Sequence, residues 1–193
     1  MLRRLYDWTL SFAAHRNARW ALAGVSFAES SVFPLPPDIL LIPMVVSARA
    51  RAWSYALICT LASVAGGVLG YAIGFFLFET IGTAILDFYH LSEKFAAFAA
   101  QYNEYGAWIV FVAGVTPIPY KLITIASGST GLDLFVFMIA SFAARGIRFF
   151  AVAALLYWAG PPIREFVERR LGLAFIVFVL LLFGGFAAVK FLF

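Results

Sequence analysis

The chain has 193 residues, of which 64% are hydrophobic, 18% aromatic and only 12% charged. A soluble globular domain is about 45–50% apolar and about 25% charged, so this balance excludes an ordinary soluble fold, and the aromatic content excludes disorder. The single cysteine, Cys59, excludes a disulfide scaffold and a Cys-rich metal site, and the net charge of +4 in so apolar a chain points to membrane orientation rather than nucleic acid.

In chain order, the first segment is interfacial. Leu2, Leu5, Tyr6, Leu10 and Ala13 recur at helical spacing, with Arg3, Arg4, Asp7 and Ser11 off that face. Residues 2–18 therefore read as an amphipathic helix, not a signal peptide, because Asp7, His15, Arg16 and Arg19 interrupt any apolar run. Residues 20–48 follow, broken by Pro34, Pro36 and Pro37 and carrying Glu29 and Asp38. The 14 residues from Trp20 to Phe33 span about 21 Å as a helix, too short for a hydrocarbon core of about 30 Å. Proline lacks an amide donor and pushes its predecessor from helical dihedrals, so the region predicts two half-helices forming a re-entrant hairpin.

Residues 52–78 are uncharged and long enough to cross. Gly66, Gly70 and Gly74, with Ala62 one turn earlier, form a small-residue stripe that would let another backbone approach closely, within the chain or between copies. The stretch Thr80–Tyr105 mixes Leu86, Phe88, Tyr89, Phe95 and Phe98 with charges that, counted with Glu79, sum to −3, and predicts one or two surface helices. A second broken segment, 107–128, is interrupted at Pro117 and Pro119 and predicts a second re-entrant hairpin; Gly128 and Gly131 read as turn glycines. Residues 132–158 form a further span, and after a charged loop residues 172–192 form the last.

The loop charges orient these elements. The N-terminal segment sums to +3, and Arg49 and Arg51 add +2 on the same side if 20–48 is a hairpin. The positive-inside rule makes that side, and the N-terminus, cytoplasmic. The two hairpins then enter from opposite faces, as in an inverted repeat. The expected fold is an all-α integral membrane protein with two re-entrant hairpins, about three transmembrane helices and interfacial helices. It forms one membrane domain: an N-terminal helix (1–19), a core (20–160) and a C-terminal loop and helix (161–193). The competing arrangement makes both hairpins kinked full spans.

Five ionisable residues fall within the apolar segments: Glu29, Asp38, Lys121, Arg145 and Arg148. Each costs at least about 2.5–3.5 kcal/mol at mid-bilayer, so such groups face protein or water, are paired, and mark candidate sites. Arg145 and Arg148 are three apart on one helix and project from nearly one face. They can serve transport or lock the hairpins structurally; Asp38 and Arg145 can alternatively lie near the interface and snorkel. Signatures of enzymes are missing: His15 and His90 belong to no zinc motif, and there is neither a nucleophile elbow nor a phosphate loop. Ser127 has no histidine partner and reads as a packing serine. No cofactor or metal is expected.

The run Glu29-Ser-Ser-Val-Phe-Pro34-Leu-Pro36-Pro37-Asp38 resembles the first-hairpin signature of the DedA family, the bacterial branch of the VTT-domain (SNARE-associated Golgi protein) superfamily. Gly66, Gly70 and Gly74 with Tyr71 are similar to the helix that follows, and Tyr105-Gly106, Gly114, Pro117 and Gly128 to the second hairpin. The resemblance covers roughly residues 20–160. It departs in the second hairpin, where many members have arginines beside the proline; here Val115 and Thr116 precede Pro117, and the base is Lys121, as in the YqaA-like subgroup. The resemblance implies a flippase or scramblase of the bacterial inner membrane for phospholipid or undecaprenyl phosphate, driven in part by protons. On that reading Glu29 and Asp38 titrate, and Lys121 with Arg145 or Arg148 holds the lipid phosphate. The alternatives are a proton-coupled transporter of small ions or organic acids on the same fold, and a non-transporting scaffold. Oligomerisation is open.

Overall fold

The structure is a computed structural model that describes residues 17–32, 36–116 and 119–169, with the backbone alone for 159–169. The expected N-terminal interfacial helix and the last expected span, 172–192, lie outside the described residues, as do Pro34 and Pro117 at the hairpin breaks. Among the described residues the chain is helical throughout and contains no strand.

Two short helices open the fold, α1 (Ala18–Ser31) and α2 (Asp38–Ser47), separated by the proline-rich break. Pro36 and Pro37 start α2 through their carbonyls: Pro36 accepts from Ile39, and Pro37 accepts from Leu40 and Leu41. A 3-10 turn (Arg49–Arg51) leads into α3 (Ala52–Leu77), and a π-turn (Phe78–Gly82) carries the helix on into α4 (Thr83–Phe88). The continuous helical path from Arg49 to Phe88 is 40 residues, about 60 Å, and overruns a hydrocarbon core of about 30 Å. Its far part and α5 (Ser92–Glu104) are mostly exposed, as expected of the polar surface stretch. A second pair of short helices, α6 (Gly106–Val115) and α7 (Tyr120–Ser129), flanks the Pro119 break, and α8 (Leu134–Arg169) closes the described chain. Its backbone stays helical to Arg169, past the point where the sequence places a loop.

Side-chain contacts give the directions. Ser26 donates to the Cys59 carbonyl and Ser30 meets Ser63, both at a separation of 33 residues, so α1 runs parallel to α3. Trp53 packs on Phe150 and Tyr157 while Tyr71 packs on Phe137, so α8 runs antiparallel to α3. α2 follows α8, from Asp38 beside Arg148 to Met44 and Val45 among Phe149, Ala153 and Leu156. The second pair repeats this with the roles exchanged. α6 runs along α8, with Ala107 and Phe111 near Val136 and Ala140 and Gly114 against Ala144, whereas α7 runs along α3, with Thr124 at Gly70 and Gly128 at Tyr71 and Phe75.

Two cores follow. Ala18 and Leu22, at the start of α1, share one with Met44 and Val45 at the end of α2 and with Ala52, Tyr55 and Ala56 at the start of α3. Both open ends of the first pair thus lie at one end of the long helices. Tyr102, Val110, Tyr120, Leu132, Phe137 and Ala140 form the other core, beside the open end of the second pair. There Tyr102 bonds Ser127 at 3.0 Å, Asn103 donates to the Thr130 carbonyl at 2.8 Å, and Tyr71 donates to the Leu132 carbonyl at 2.5 Å.

Glycine makes this packing feasible. A Cβ on Gly66 would overlap the Phe27 carbonyl, one on Gly74 the Ile125 carbonyl, and one on Gly70 would strike Thr124. The stripe therefore receives α1 and α7 from the same chain. It continues toward the N-terminus through the buried Ser63 rather than the half-buried Ala62. Gly131, with φ of +67°, is a turn glycine as expected. Gly128 is not: it lies within α7 against the Tyr71 carbonyl, where its missing side chain permits helix contact.

Candidate functional site

Polarity is distributed opposite to that of a soluble protein. Leu57, Leu61, Leu69, Phe76, Phe135, Ile139, Phe142, Ile147 and Leu155 are exposed on the long helices, while Ser26, Ser30, Ser63, Thr60, Thr124, Ser141, Asp38 and Arg145 are buried. The helices Arg49–Phe88 and Leu134–Trp158 are long and apolar enough to cross a bilayer.

The buried polar groups converge where the tips of the two short-helix pairs meet the middle of α3 and α8. Arg145 is fully buried. Its Nε donates to Ser63 Oγ at 2.6 Å, and its Nη2 donates to Ser30 Oγ at 3.1 Å and to a Glu29 carboxylate oxygen. Ser30 also bonds Ser63 at 2.7 Å and Glu29 at 3.1 Å. The guanidinium lies 4.5 Å from the Tyr120 ring centroid and 5.2 Å from that of Phe149, within cation–π range. Tyr120 in turn donates to Ser141. Charge pairing and ring stacking together offset the desolvation of a cation placed this deep.

One turn along α8, Arg148 donates to Asp38 Oδ2 at 2.7 Å, with its side chain 20% exposed. The second carboxylate oxygen, Oδ1, is buried and has no hydrogen-bond partner among the described residues. An orphaned buried acceptor costs on the order of 1–3 kcal/mol. This pair is therefore less completely satisfied than the first.

Four of the five ionisable residues of the apolar segments are thus brought together as two acid–base pairs bridging the first helix pair to α8. Burial of Arg145 rules out snorkelling for it. Lys121, at the first turn of α7, is half-buried and makes no ion pair among the described residues. Three contributors escape the sequence reading: Ser30, Ser63 and Tyr120. The serines had a signal, since Ser63 continues the face of Gly66, Gly70 and Gly74, and Ser26 and Ser30 share one face of α1 four residues apart. Tyr120 had none beyond its place beside Pro119. Among the described residues no three His, Cys, Asp or Glu side chains converge as metal ligands would.

An all-helical chain with an apolar exterior and a charged, paired interior is a membrane protein with a polar centre. The VTT domain model matches residues 35–158. The chain is 39% identical over 156 residues to an uncharacterized protein of Haemophilus influenzae and 35% identical over 156 residues to one of Histophilus somni, each match covering 81% of both chains. No solved structure matches. The chain belongs to the VTT-domain family, the DedA and SNARE-associated group, and is a membrane protein of that family.

Proposed function

We propose that this protein carries an anionic lipid, a phospholipid or a polyprenyl phosphate, between the leaflets of the bacterial inner membrane with the help of a proton gradient, without covalent chemistry. The observation that carries the reading is the pair of acid–base contacts, Glu29 with Arg145 and Asp38 with Arg148, at the meeting point of two broken helix pairs. An anchor or scaffold gains little from ionised groups at that depth, each costly to bury. A transporter uses them: a carboxylate takes a proton, and a guanidinium or ammonium binds phosphate. In this arrangement the pairs α1/α2 and α6/α7 are re-entrant hairpins entering from opposite faces, related as an inverted repeat, with α3, α8 and residues 172–192 as the spans. The N-terminus and the Arg49–Arg51 turn face the cytoplasm. Glu29 and Asp38 supply the acids, and Lys121, Arg145 and Arg148 the positive charge.

The test is leaflet exchange in liposomes carrying labelled phosphatidylglycerol or undecaprenyl phosphate, with and without a pH gradient. Exchange above that of protein-free vesicles, faster with the gradient, is expected. No exchange of either lipid overturns the proposal, and an acid flux or current without lipid exchange would replace it with small-anion transport.

A further inference from the structure

The two acid–base pairs are held differently. Arg145 has no exposed surface, and Ser63, Ser30, Glu29 and the Tyr120 and Phe149 rings surround it. Arg148 keeps a fifth of its side chain exposed and donates to Asp38 through Nη2, and Asp38 holds a buried oxygen, Oδ1, with no partner among the described residues. We propose that Asp38–Arg148 alone is the exchange site: protonation of Asp38 releases Arg148 to the lipid phosphate, while Glu29–Arg145 remains a closed strut. This rests on the transport reading above and narrows it to one pair.

The step balances. A proton bonds to Oδ1, the oxygen with no other contact to lose, and the carboxyl becomes neutral. The Nη2–H···Oδ2 contact loses its charge assistance and opens, and a phosphate oxyanion takes its place on Arg148. One proton enters with one negative charge, so the buried site keeps its net charge, which avoids leaving an uncompensated ion in a low-dielectric surround. Groups facing Asp38 from the elements packed on α2 are Arg148 and Arg145 from α8 and Cys59 from α3. Arg49 and Arg51 stand at the other end of α2. Glu29, the other carboxylate of the cluster, is held by Arg145. The break residues Phe33, Pro34 and Leu35 carry no titratable side chain.

The experiment is calorimetric titration of the full-length protein in detergent with dihexanoyl phosphatidylglycerol, a phosphodiester whose own charge is constant across the near-neutral range. One linked proton means binding tightens about tenfold per pH unit of acidification. Asp38→Asn, which keeps the shape without the charge, is expected to bind with no pH dependence. Ser63→Ala, which trims the other cluster, is expected to keep the tenfold dependence. If Asp38→Asn does not fold, wild-type binding in buffers of different protonation enthalpy must report one proton taken up per lipid. A pH dependence that survives Asp38→Asn, one lost in Ser63→Ala, or an uptake of zero overturns the pair assignment and leaves lipid recognition standing. A wild-type protein that binds no lipid at any pH overturns both this and the transport reading.

Discussion

Removing Arg145 tests whether the central cluster is a charge pair or merely a packed side chain. Arg145→Gln leaves Glu29, 13% exposed, with Ser30 as its remaining bond partner in the cluster. Breaking a buried pair by removing one member typically costs about 3–5 kcal/mol, most of it from the stranded charge. Glu29→Gln strands Arg145 by the same logic, with Ser63 and the two rings still in place. The double variant strands neither, so its cost falls below the sum of the singles, with a coupling of about 1.5–3 kcal/mol. The protein carries its own reporter: Cys59 is the chain's one cysteine and is fully buried. A thiol-reactive fluorescent maleimide therefore lights up only on unfolding. Each single variant is expected to lower the melting midpoint by roughly 10 °C, taking about 2–4 °C per kcal/mol for a chain of this size. Strict additivity in the double variant would show that the two side chains do not interact as charges, and the account of the cluster would fail.

The glycine stripe gives a paired comparison in the same melting assay. Gly66→Ala and Gly74→Ala, whose Cβ atoms would strike backbone carbonyls, are expected to destabilise by about 1–3 kcal/mol, whereas Gly24→Ala, with nothing within 4 Å, is expected to stabilise by about 0.5–1 kcal/mol. Equal effects at all three positions would refute the close packing of α1 and α7 on α3. Topology is read by cysteine labelling in a Cys59→Ala background: Arg19→Cys and Arg51→Cys should react with an impermeant maleimide from one side of the membrane and Glu93→Cys from the other. Labelling of the first two from opposite sides would make the first helix pair a full span. Lys121→Gln should slow exchange of phosphatidylglycerol in liposomes several-fold more than exchange of phosphatidylcholine; an equal loss would remove Lys121 from anion recognition.

Much of this arrangement is legible in the sequence because the strongest signals are prohibitions. Proline at positions 34, 36 and 37 forbids a continuous helix through residues 20–48, and a charge inside an apolar segment forbids lipid exposure. Those rules located the breaks and the five ionisable residues. They could not say who pairs with whom, since Glu29 and Arg145 are separated by 116 residues and their meeting depends on the packing directions of three helices. Gly128 is ambiguous in the sequence for a related reason. A glycine near a helix end satisfies both a turn and a close contact, and only the position of Tyr71 on α3 distinguishes the two. Lys121 shows the opposite limit: a base inside an apolar segment marks it as a candidate partner, yet its side chain stays out of the ion pairs formed by the described residues.

Breaking a helix leaves carbonyls without intrahelical partners, and the fold answers this at the first pair with a donor from the second. The Ser30 carbonyl lies in the last turn of α1, where intrahelical partners run out, and Thr124 Oγ1 of α7 donates to it at 3.1 Å. Ser129 Oγ, at the end of α7, donates to the Gly74 carbonyl of α3 at 3.3 Å. The same Ser30 that presents its carbonyl to Thr124 turns its hydroxyl to Ser63, Glu29 and Arg145. The backbone repair at the tips and the charged cluster are therefore one network. A shift of α7 that withdrew Thr124 would orphan the Ser30 carbonyl and disturb the bonds that hold Arg145. That coupling gives the second helix pair a physical route to the Glu29–Arg145 pair of the first.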